Sequence, residues 1–230
     1  MTEVLITGGS RGIGKACAQR FAAAGCRLTL VARQLRPLEA ISSELQAAFG
    51  AESCQIIAAD LATEEGCKQV LQSLERQAII PEVLINNAGR FATGNLTDES
   101  PDQLTDLLAL NLLAAYRLGR ALIPAMLQRG HGQLITIGSV AVDDFPARMG
   151  QYTLTKMALH ALHQNWAHEL ADTPLQGSLI VPGATLTSSW DNADFIPEAI
   201  LSPATVAEEV YAAYQQAAAS EPWTTVYLRP

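Results

Sequence analysis

Tyr152 and Lys156 stand four residues apart in a segment with helix-like apolar spacing, so their side chains share one helix face. A phenol titrating near ~10 is a poor proton carrier at neutral pH, and a neighbouring ammonium lowers its pKa toward the working range. Ser139 lies upstream, where an apolar run ends, and its hydroxyl can stabilise charge on an oxygen that Tyr152 protonates. The three residues predict acid–base chemistry at a carbonyl oxygen, although the Tyr–Lys spacing alone is common by chance.

A glycine-rich loop near the N-terminus predicts a dinucleotide site. The apolar run 4–7 leads directly into the sequence TGGSRGIG and then into a helix-like segment. Glycines permit a tight turn and the close approach of a pyrophosphate, while the helix offers unpaired N–H groups and the positive end of its dipole. The glycine spacing differs from the commoner G-x-G-x-x-G pattern. The predicted contacts in this loop are Gly8, Ser10, Arg11, Gly12, Ile13 and Gly14.

This loop resembles the nucleotide loop of the short-chain dehydrogenase/reductase family, and further matches follow in the family's order. They are NNAG at 86–89, Asn111 within a long helix, Ser139, YTLTK at 152–156 and PGATLT at 182–187. The resemblance covers essentially the whole chain. It implies a Rossmann-type fold, a nicotinamide cofactor and the reduction of a ketone or aldehyde. The short chain also looks like bacterial relatives of sepiapterin reductase and like ketoacyl and carbonyl reductases.

The resemblance further implies roles for single residues. Tyr152 would be the general acid, Ser139 would hold the substrate oxygen, and Lys156 would also bind the nicotinamide ribose. Asn111 would anchor a water that links the lysine to solvent, and Asp60 would contact the adenine amino group. The other cofactor contacts that it implies are Leu61, Asn87, Ala88, Gly89, Pro182, Gly183, Thr185 and Thr187.

The end of the second predicted strand favours NADP(H) over NAD(H). An acid at this point accepts hydrogen bonds from a free ribose 2′-hydroxyl, whereas a 2′-phosphate requires an arginine. Here Ala32 is followed by Arg33, with no acid, and Arg11 lies in the glycine loop. Two guanidinium groups can hold a phosphate bidentately, so the sequence predicts NADP(H) as the cofactor.

The substrate side of the site is the least defined part of the sequence. The segment after Thr187 is short for the substrate-covering region of the family, and Trp190 within it could stack on a flat substrate or plug the lid. Val140 and Trp190 are the predicted substrate contacts. Pterins, ketoacyl thioesters and diketones all stay open as substrates.

Apolar runs alternate with helix-like segments along the chain and predict a single α/β domain over residues 1–230. Most of these runs are apolar throughout, which indicates strands buried on both faces of a parallel sheet. We therefore expect a doubly wound Rossmann-type sheet of about seven strands with helices on both faces. The predicted strands are 4–7, 28–32, 55–59, 82–86, 133–138, 178–181 and 224–228. The predicted helices are 14–24, 38–49, 64–77, 101–128, 151–171 and 203–219.

Composition argues against several classes of protein. The net charge of −8 disfavours nucleic-acid and anionic-membrane partners. We see no apolar run near the ~18 residues of a membrane span, and the first residues do not read as a signal peptide. The four cysteines lack C-x-x-C spacing, which favours reduced thiols in a cytoplasmic protein. His160, His163 and His168 lack the accompanying ligands of a metal site, so we expect no metal and place them at the surface or an interface.

Two other functions and an assembly remain as hypotheses. A sensor that binds NADP(H) without turnover would be expected to lose the tyrosine or lysine, and both are present. An isomerase or dehydratase often keeps both residues and adds an acid, which Asp143 or Asp144 could supply. The helices at 101–128 and 151–171 carry more apolar residues than one face can bury, so we expect a homodimer or homotetramer that pairs through them.

Overall fold

Seven parallel strands form one sheet in the order β3-β2-β1-β4-β5-β6-β7. The structure is a computed structural model that describes residues 1–50, 54–97, 103–188, 198–217 and 222–230. The strands are β1 Glu3–Thr7, β2 Arg27–Ala32, β3 Cys54–Ala58, β4 Val83–Asn86, β5 Gly132–Ile137, β6 Leu175–Pro182 and β7 Trp223–Leu228. The predicted number of strands and their parallel arrangement are confirmed.

Both faces of the sheet are buried, which explains the apolar strand sequences. In β1, Val4 and Ile6 pack into one core and Leu5 packs into the other. Because side chains alternate across a strand, each strand must be apolar at every position to serve two cores. The core containing Val4 and Ile6 is covered by the helices at 12–23, 35–49 and 203–217, and the opposite core is covered by those at 64–76, 114–129 and 150–169. The doubly wound fold is thereby confirmed.

Helices connect the successive strands, as the crossover connections of a parallel sheet require. They are α1 Gly12–Ala23, α2 Leu35–Phe49, α3 Glu64–Arg76, α4 Gln103–Leu108, α5 Ala114–Arg129, α6 Ala141–Asp144, α7 Gly150–Glu169 and α8 Pro203–Ala217. The short α6 was not predicted, because four residues are too few to show a helical period.

The predicted continuous helix over 101–128 is interrupted. A π-helical segment, Ala109–Leu113, joins α4 to α5, and the buried Asn111 lies within it. Such π-bulges occur at functional sites more often than elsewhere in helices. Residues 101 and 102 lie outside the described residues.

The helical stretch Gln103–Arg129 is long and apolar enough to span a membrane by length and composition, with a mean hydropathy of 1.2. This corrects the expectation that no segment approaches that length. By itself the finding is weak, because core helices pass the same test. Here Leu107, Leu118 and Met126 are fully buried, and the latter two pack against the sheet.

The order of the strands places a crevice at the carboxyl edge of the sheet. The chain continues from β1 to β2 on one side and from β4 to β5 on the other, so the loops after β1 and β4 diverge. Ligands of open α/β sheets bind at such a switch point. Every predicted site residue that the structure describes belongs to this edge or to the helices beside it.

Candidate active site

A groove of about 1320 Å³ runs along the carboxyl edge of the sheet. It exceeds the roughly 300–1,000 Å³ of pockets for drug-sized ligands, so it has room for a dinucleotide and a substrate. Arg33 lines one part of the groove, and Ser139 and Tyr152 line another. The predicted contacts that line it include the loop residues Gly8, Ser10, Arg11, Gly12 and Ile13 and, beyond them, Asp60, Leu61, Asn87, Ala88, Gly89, Val140, Lys156, Pro182, Gly183, Thr185 and Thr187. Trp190 lies outside the described residues.

The glycine loop brings its backbone close to the groove. Gly8 and Gly12 have φ values of +68° and +55°, in the left-handed region that favours glycine. A Cβ on Gly14 would overlap the carbonyl oxygen of Gly8, so the first turn of α1 packs directly against the loop. No side chain caps α1, and its first turn has no acidic residue. Its leading amides are therefore suited to an anion.

The loop after β4 is fastened to the loop after β1 by two side chains. Thr7 Oγ1 donates to Ile85 O at 3.1 Å and accepts from the amides of Asn87 and Ala88 at 3.0 and 2.9 Å. Asn87 Nδ2 donates to Thr7 O at 2.8 Å and to Gly8 O at 3.2 Å. Asn87 thus supports the central strands in addition to lining the groove. Thr7 was missed by the sequence reasoning, although it opens the glycine motif.

Two exposed arginines line the groove near the end of β2, where an acid would select NAD(H). Arg11 precedes α1 and Arg33 follows β2. Across from them, Asp60 Oδ1 accepts from Ala62 N at 3.1 Å, which fixes the turn after β3. Leu61 is buried in the core as well as lining the groove. The electrostatic character of this end of the groove suits a phosphate.

The Ser139 hydroxyl lies within hydrogen-bonding reach of the Tyr152 phenol and acts to lower its pKa. Ser139 follows β5, and its Oγ also accepts from Ala141 N at 3.2 Å. Tyr152 lies in the first turn of α7, and the ring of Phe91 meets its ring edge-on, with centroids 5.2 Å apart. Phe91 therefore forms a wall beside the phenol, a neighbour that no sequence motif indicated.

The structure corrects the expectation that Lys156 lowers the pKa of Tyr152. Burial raises the pKa of the phenol above its ordinary value of 10, and the hydrogen bond from Ser139 only partly opposes this. Lys156 Nζ lies 5.8 Å from the centroid of the Tyr152 ring and donates instead to Ile137 O at 2.8 Å. Burial lowers the pKa of Lys156 itself to about 8. The phenol is thus held in its protonated form.

The Asn111 side chain joins the loop after β4 to α7. Its Oδ1 accepts from Arg90 N at 2.7 Å, and its Nδ2 donates to Arg90 O at 3.0 Å and to Thr155 Oγ1 at 2.9 Å. Thr155 in turn donates to Tyr152 O at 2.8 Å. Both amide hydrogens of Asn111 are therefore used inside the protein, and its predicted link to a water stays a prediction. Thr155 is a supporting residue to which the sequence analysis assigned no role.

Two histidines of α7 are not surface residues, contrary to the expectation. His163 is buried, its Nδ1 lies 3.0 Å from Thr136 Oγ1, and its ring meets that of Trp223 edge-on. His160 is packed under β5, where its Nε2 accepts from Ser139 N at 3.3 Å. Of the three histidines on α7, His160 is half-buried and His168 alone is exposed. Among the described residues, no group of three His, Cys, Asp or Glu side chains could hold a metal ion.

The rim of the groove is closed by the C-terminal residues. Arg229, which follows β7, forms an ion pair at 3.3 Å with Asp144, the last residue of α6. The segment after β6 is held by Gly183 N, which donates to Leu228 O at 2.7 Å, and by Thr185 Oγ1, which donates to Gly183 O at 3.0 Å. A Cβ on Gly12 would lie 3.0 Å from Thr187 Cγ2, so Thr187 reaches across to the glycine loop.

Comparison with known proteins points to one family. The sequence profile described as short chain dehydrogenase matches residues 2–194 of the chain. An uncharacterised oxidoreductase of Staphylococcus epidermidis is 26% identical over 212 residues, which cover 92% of this chain and 90% of that protein.

Solved structures show the same similarity. A short-chain dehydrogenase from Sphingobium yanoikuyae in complex with NADPH is 30% identical with a TM-score of 0.88, over 98% of this chain and 87% of that one. L-sorbose reductase from Gluconobacter frateurii, complexed with NADPH and L-sorbose, is 28% identical with a TM-score of 0.89, over 99% of this chain and 95% of that one.

We expect Lys156→Met to stabilise the protein at pH 7, because a buried ammonium is unfavourable. The pKa of Lys156 is about 8 in the folded chain against 10.5 when unperturbed. Between these values the unfolded chain holds more protons, so the stability of the wild type rises with pH there. The gain of the variant should be on the order of 1–3 kcal/mol at pH 7 and should shrink as the pH rises from 8 to 10.5.

Urea unfolding at pH 7 and pH 10, followed by circular dichroism, measures this difference. Lys68→Met is the control, since Lys68 is an exposed lysine paired with Glu64 on α3. A loss of stability in the Lys156 variant that is equal at both pH values would contradict the prediction.

Proposed function

Because this chain belongs to the short chain dehydrogenase family, we propose that it is an NADPH-dependent reductase of a small ketone or aldehyde. The observation that carries the proposal is the meeting of Ser139, Tyr152 and Lys156 in the groove that the glycine loop also lines. A site for hydride transfer needs a cofactor cradle and a proton donor within one cavity, and this groove contains residues suited to both.

The cradle fits a nicotinamide dinucleotide phosphate. The glycine loop leaves backbone and the uncapped amides of α1 toward the groove, which suits a pyrophosphate. Arg11 and Arg33 would hold the 2′-phosphate, and Asp60 would face the adenine. The relatives from Sphingobium and Gluconobacter were solved with NADPH, which supports the same choice here.

When bound, NADPH supplies the hydride that reduces the carbonyl carbon. Tyr152 would give its phenolic proton to the carbonyl oxygen, so that the product is an alcohol. The raised pKa of Tyr152 suits this direction, because a proton donor must hold its proton before the reaction. Ser139 would donate a hydrogen bond to the same oxygen and stabilise the negative charge that develops on it.

Lys156 would serve the proton donor as well as the cofactor. Its ammonium donates to Ile137 O in this structure and would bind the ribose hydroxyls of the cofactor, and its positive charge would favour the Tyr152 phenolate left after proton transfer. Asn111 holds Arg90 and Thr155 in place, so it would keep the loop after β4 and the first turn of α7 together.

The alternative functions receive less support. Asp144, a candidate acid for an isomerase or dehydratase, is paired with Arg229 at the rim. A sensor without turnover would have no use for the hydrogen bond between Ser139 and Tyr152. The four cysteines are all free and buried, which agrees with our proposal of a cytoplasmic protein. We also propose that residues 1–230 form one domain and that neither nucleic acid nor membrane is a partner.

Tyr152→Phe should abolish carbonyl reduction while leaving NADPH binding nearly intact. Loss of the general acid lowers kcat by roughly 10²–10⁴-fold. NADPH oxidation with a panel of diketones, quinones, pterins and β-ketoacyl thioesters measures the activity, and fluorescence titration measures cofactor binding. The control is Tyr227→Phe, at an exposed tyrosine that does not line the groove. If the Tyr152 variant keeps most of its kcat, the assignment is wrong.

Arg33→Ala should raise the KM for NADPH and leave the KM for NADH little changed, because only NADPH carries the 2′-phosphate. A charge-assisted hydrogen bond worth roughly 1.5–3 kcal/mol corresponds to a rise of about 10–100-fold. Arg36→Ala is the matched control, since Arg36 is equally exposed but does not line the groove. Equal losses with both cofactors would show that Arg33 is structural.

We propose further that the chain forms a homo-oligomer through α5 and α7. The proposal began from the large number of apolar side chains on the two predicted helices at 101–128 and 151–171. The structure buries some of them within the chain, namely Leu107, Leu159 and Trp166. Other apolar side chains stay exposed, namely Leu113 just before α5, Tyr116 on α5, and Leu154 and Met157 on α7. Light scattering at micromolar concentration should give a multiple of 24.6 kDa. The mass of one chain would refute the assembly, and Met157→Glu should shift the mass toward it.

A further inference from the structure

Strand β5 extends beyond the end of its neighbour β4, which leaves backbone groups without a strand partner. The last paired residues of the two strands are Asn86 and Thr136. On the other side, the amides of Gly138 and Val140 donate to Ile180 O and Pro182 O. Because backbone groups alternate along a strand, Ile137 O and Ser139 N point toward the side that β4 no longer covers.

Two side chains of α7, one turn apart, take the place of the missing strand. Lys156 Nζ donates to Ile137 O at 2.8 Å, and His160 Nε2 accepts from Ser139 N at 3.3 Å. The imidazole lies so close to β5 that a Cβ on Gly138 would overlap it. Lys156 and Tyr152 are already part of the proposed reaction, and His160 continues their helix face by four residues.

The surroundings keep His160 neutral. Burial and the Lys156 ammonium lower its pKa to about 4, and Asp143 on α6 opposes this only in part. His163, on the same helix, is buried as well and its pKa is likewise lowered to about 4. Since His160 Nε2 accepts a hydrogen bond from an amide, its proton must be on Nδ1. A protonated ring would lose this hydrogen bond and would stand as a second cation beside Lys156.

We propose that His160 is a positioning residue, which holds the Ser139 backbone so that the hydroxyl stays on the Tyr152 phenol and the substrate oxygen. This inference rests on the proposed reductase function. Without His160, the amide of Ser139 would lose its acceptor and the turn from β5 into α6 would loosen. The Ser139 hydroxyl would then be held less well at the reacting oxygen. This loss should lower the rate of the chemical step more than it lowers the affinity for the substrate or the cofactor.

His160→Leu tests the proposal, because leucine keeps much of the volume and removes the acceptor. We expect kcat to fall about tenfold, as for the loss of one supporting hydrogen bond, with the Kd of NADPH unchanged. His160→Gln places an amide oxygen near the position of Nε2 and should recover most of the activity. The matched control is His163→Leu, the same change at a buried histidine of the same helix that contacts Thr136 rather than Ser139. It should lower the melting temperature but not kcat.

The outcomes separate a positioning role from a structural one. The proposal is overturned if His160→Leu retains wild-type kcat, or if both leucine variants lose kcat in proportion to their stability. If His160→Leu does not fold, kcat of the His160→Gln variant decides. If His160 has only a structural role, restoring an acceptor for the Ser139 amide would not restore kcat. Wild-type kcat in the glutamine variant supports the proposal, and a loss as large as that of Tyr152→Phe overturns it.

A measurement on the wild type is independent of any substrate. Nitrogen-15 NMR of the imidazole should show a bare Nε2 and a protonated Nδ1 for His160 near pH 7. A proton on Nε2 would refute the contact with Ser139 even if the enzyme reduces carbonyls. Conversely, if no carbonyl is reduced while the bare Nε2 is seen, the proposed function fails and the contact stands without its catalytic consequence.

Discussion

Where a parallel sheet ends, the last N–H and C=O groups of its strands lose their neighbours, and buried backbone groups must then find other partners. In this protein, side chains supply several of them around β1, β4 and β5. Thr7 and Asn87 bind the backbone after β4 and β1, Asn111 binds both backbone groups of Arg90, and Lys156 reaches Ile137. The same contacts place the proposed catalytic groups. Satisfying the backbone and building the site are therefore one requirement at this edge.

That requirement has an energetic cost, which is concentrated on α7. A lysine buried beside a phenol and two neutral histidines is held in an environment that disfavours its charge. A well-packed apolar helix would be more stable, so the polar face of α7 is best explained by function. The position of the buried ammonium also determines the protonation state of Tyr152. With Lys156 on Ile137 O, the phenol keeps its proton, and only a displacement of the ammonium toward Tyr152 would favour the phenolate.

The fold and most of the groove could be predicted from the sequence because their signals are local. A strand buried on both faces is apolar throughout, and the glycine loop is a short motif between such a strand and a helix. The errors arose where distant residues decide the outcome. The contact between Asn111 and Arg90 and the π-helical segment depend on packing between separate elements. The pKa of Tyr152 depends on where Lys156 finds its acceptor. His160 did carry a local signal, since it lies four residues after Lys156, but its partner on β5 lies far away in sequence.

The two ends of the groove are fixed by different kinds of contact. Under the proposed function, this difference bears on substrate specificity. The end of the groove at the glycine loop includes backbone whose close approach allows only glycine at Gly8, Gly12 and Gly14, and Asn87 fastens it. The rim at Asp144 and Arg229 is made of exposed side chains, whose ion pair is open to solvent. Exposed pairs contribute little to stability, so the rim can vary without disturbing the sheet edge behind it. A change of substrate would therefore require replacements at the rim and along the wall formed by Phe91, while Ser139, Tyr152 and their supports on β5 and α7 stay fixed.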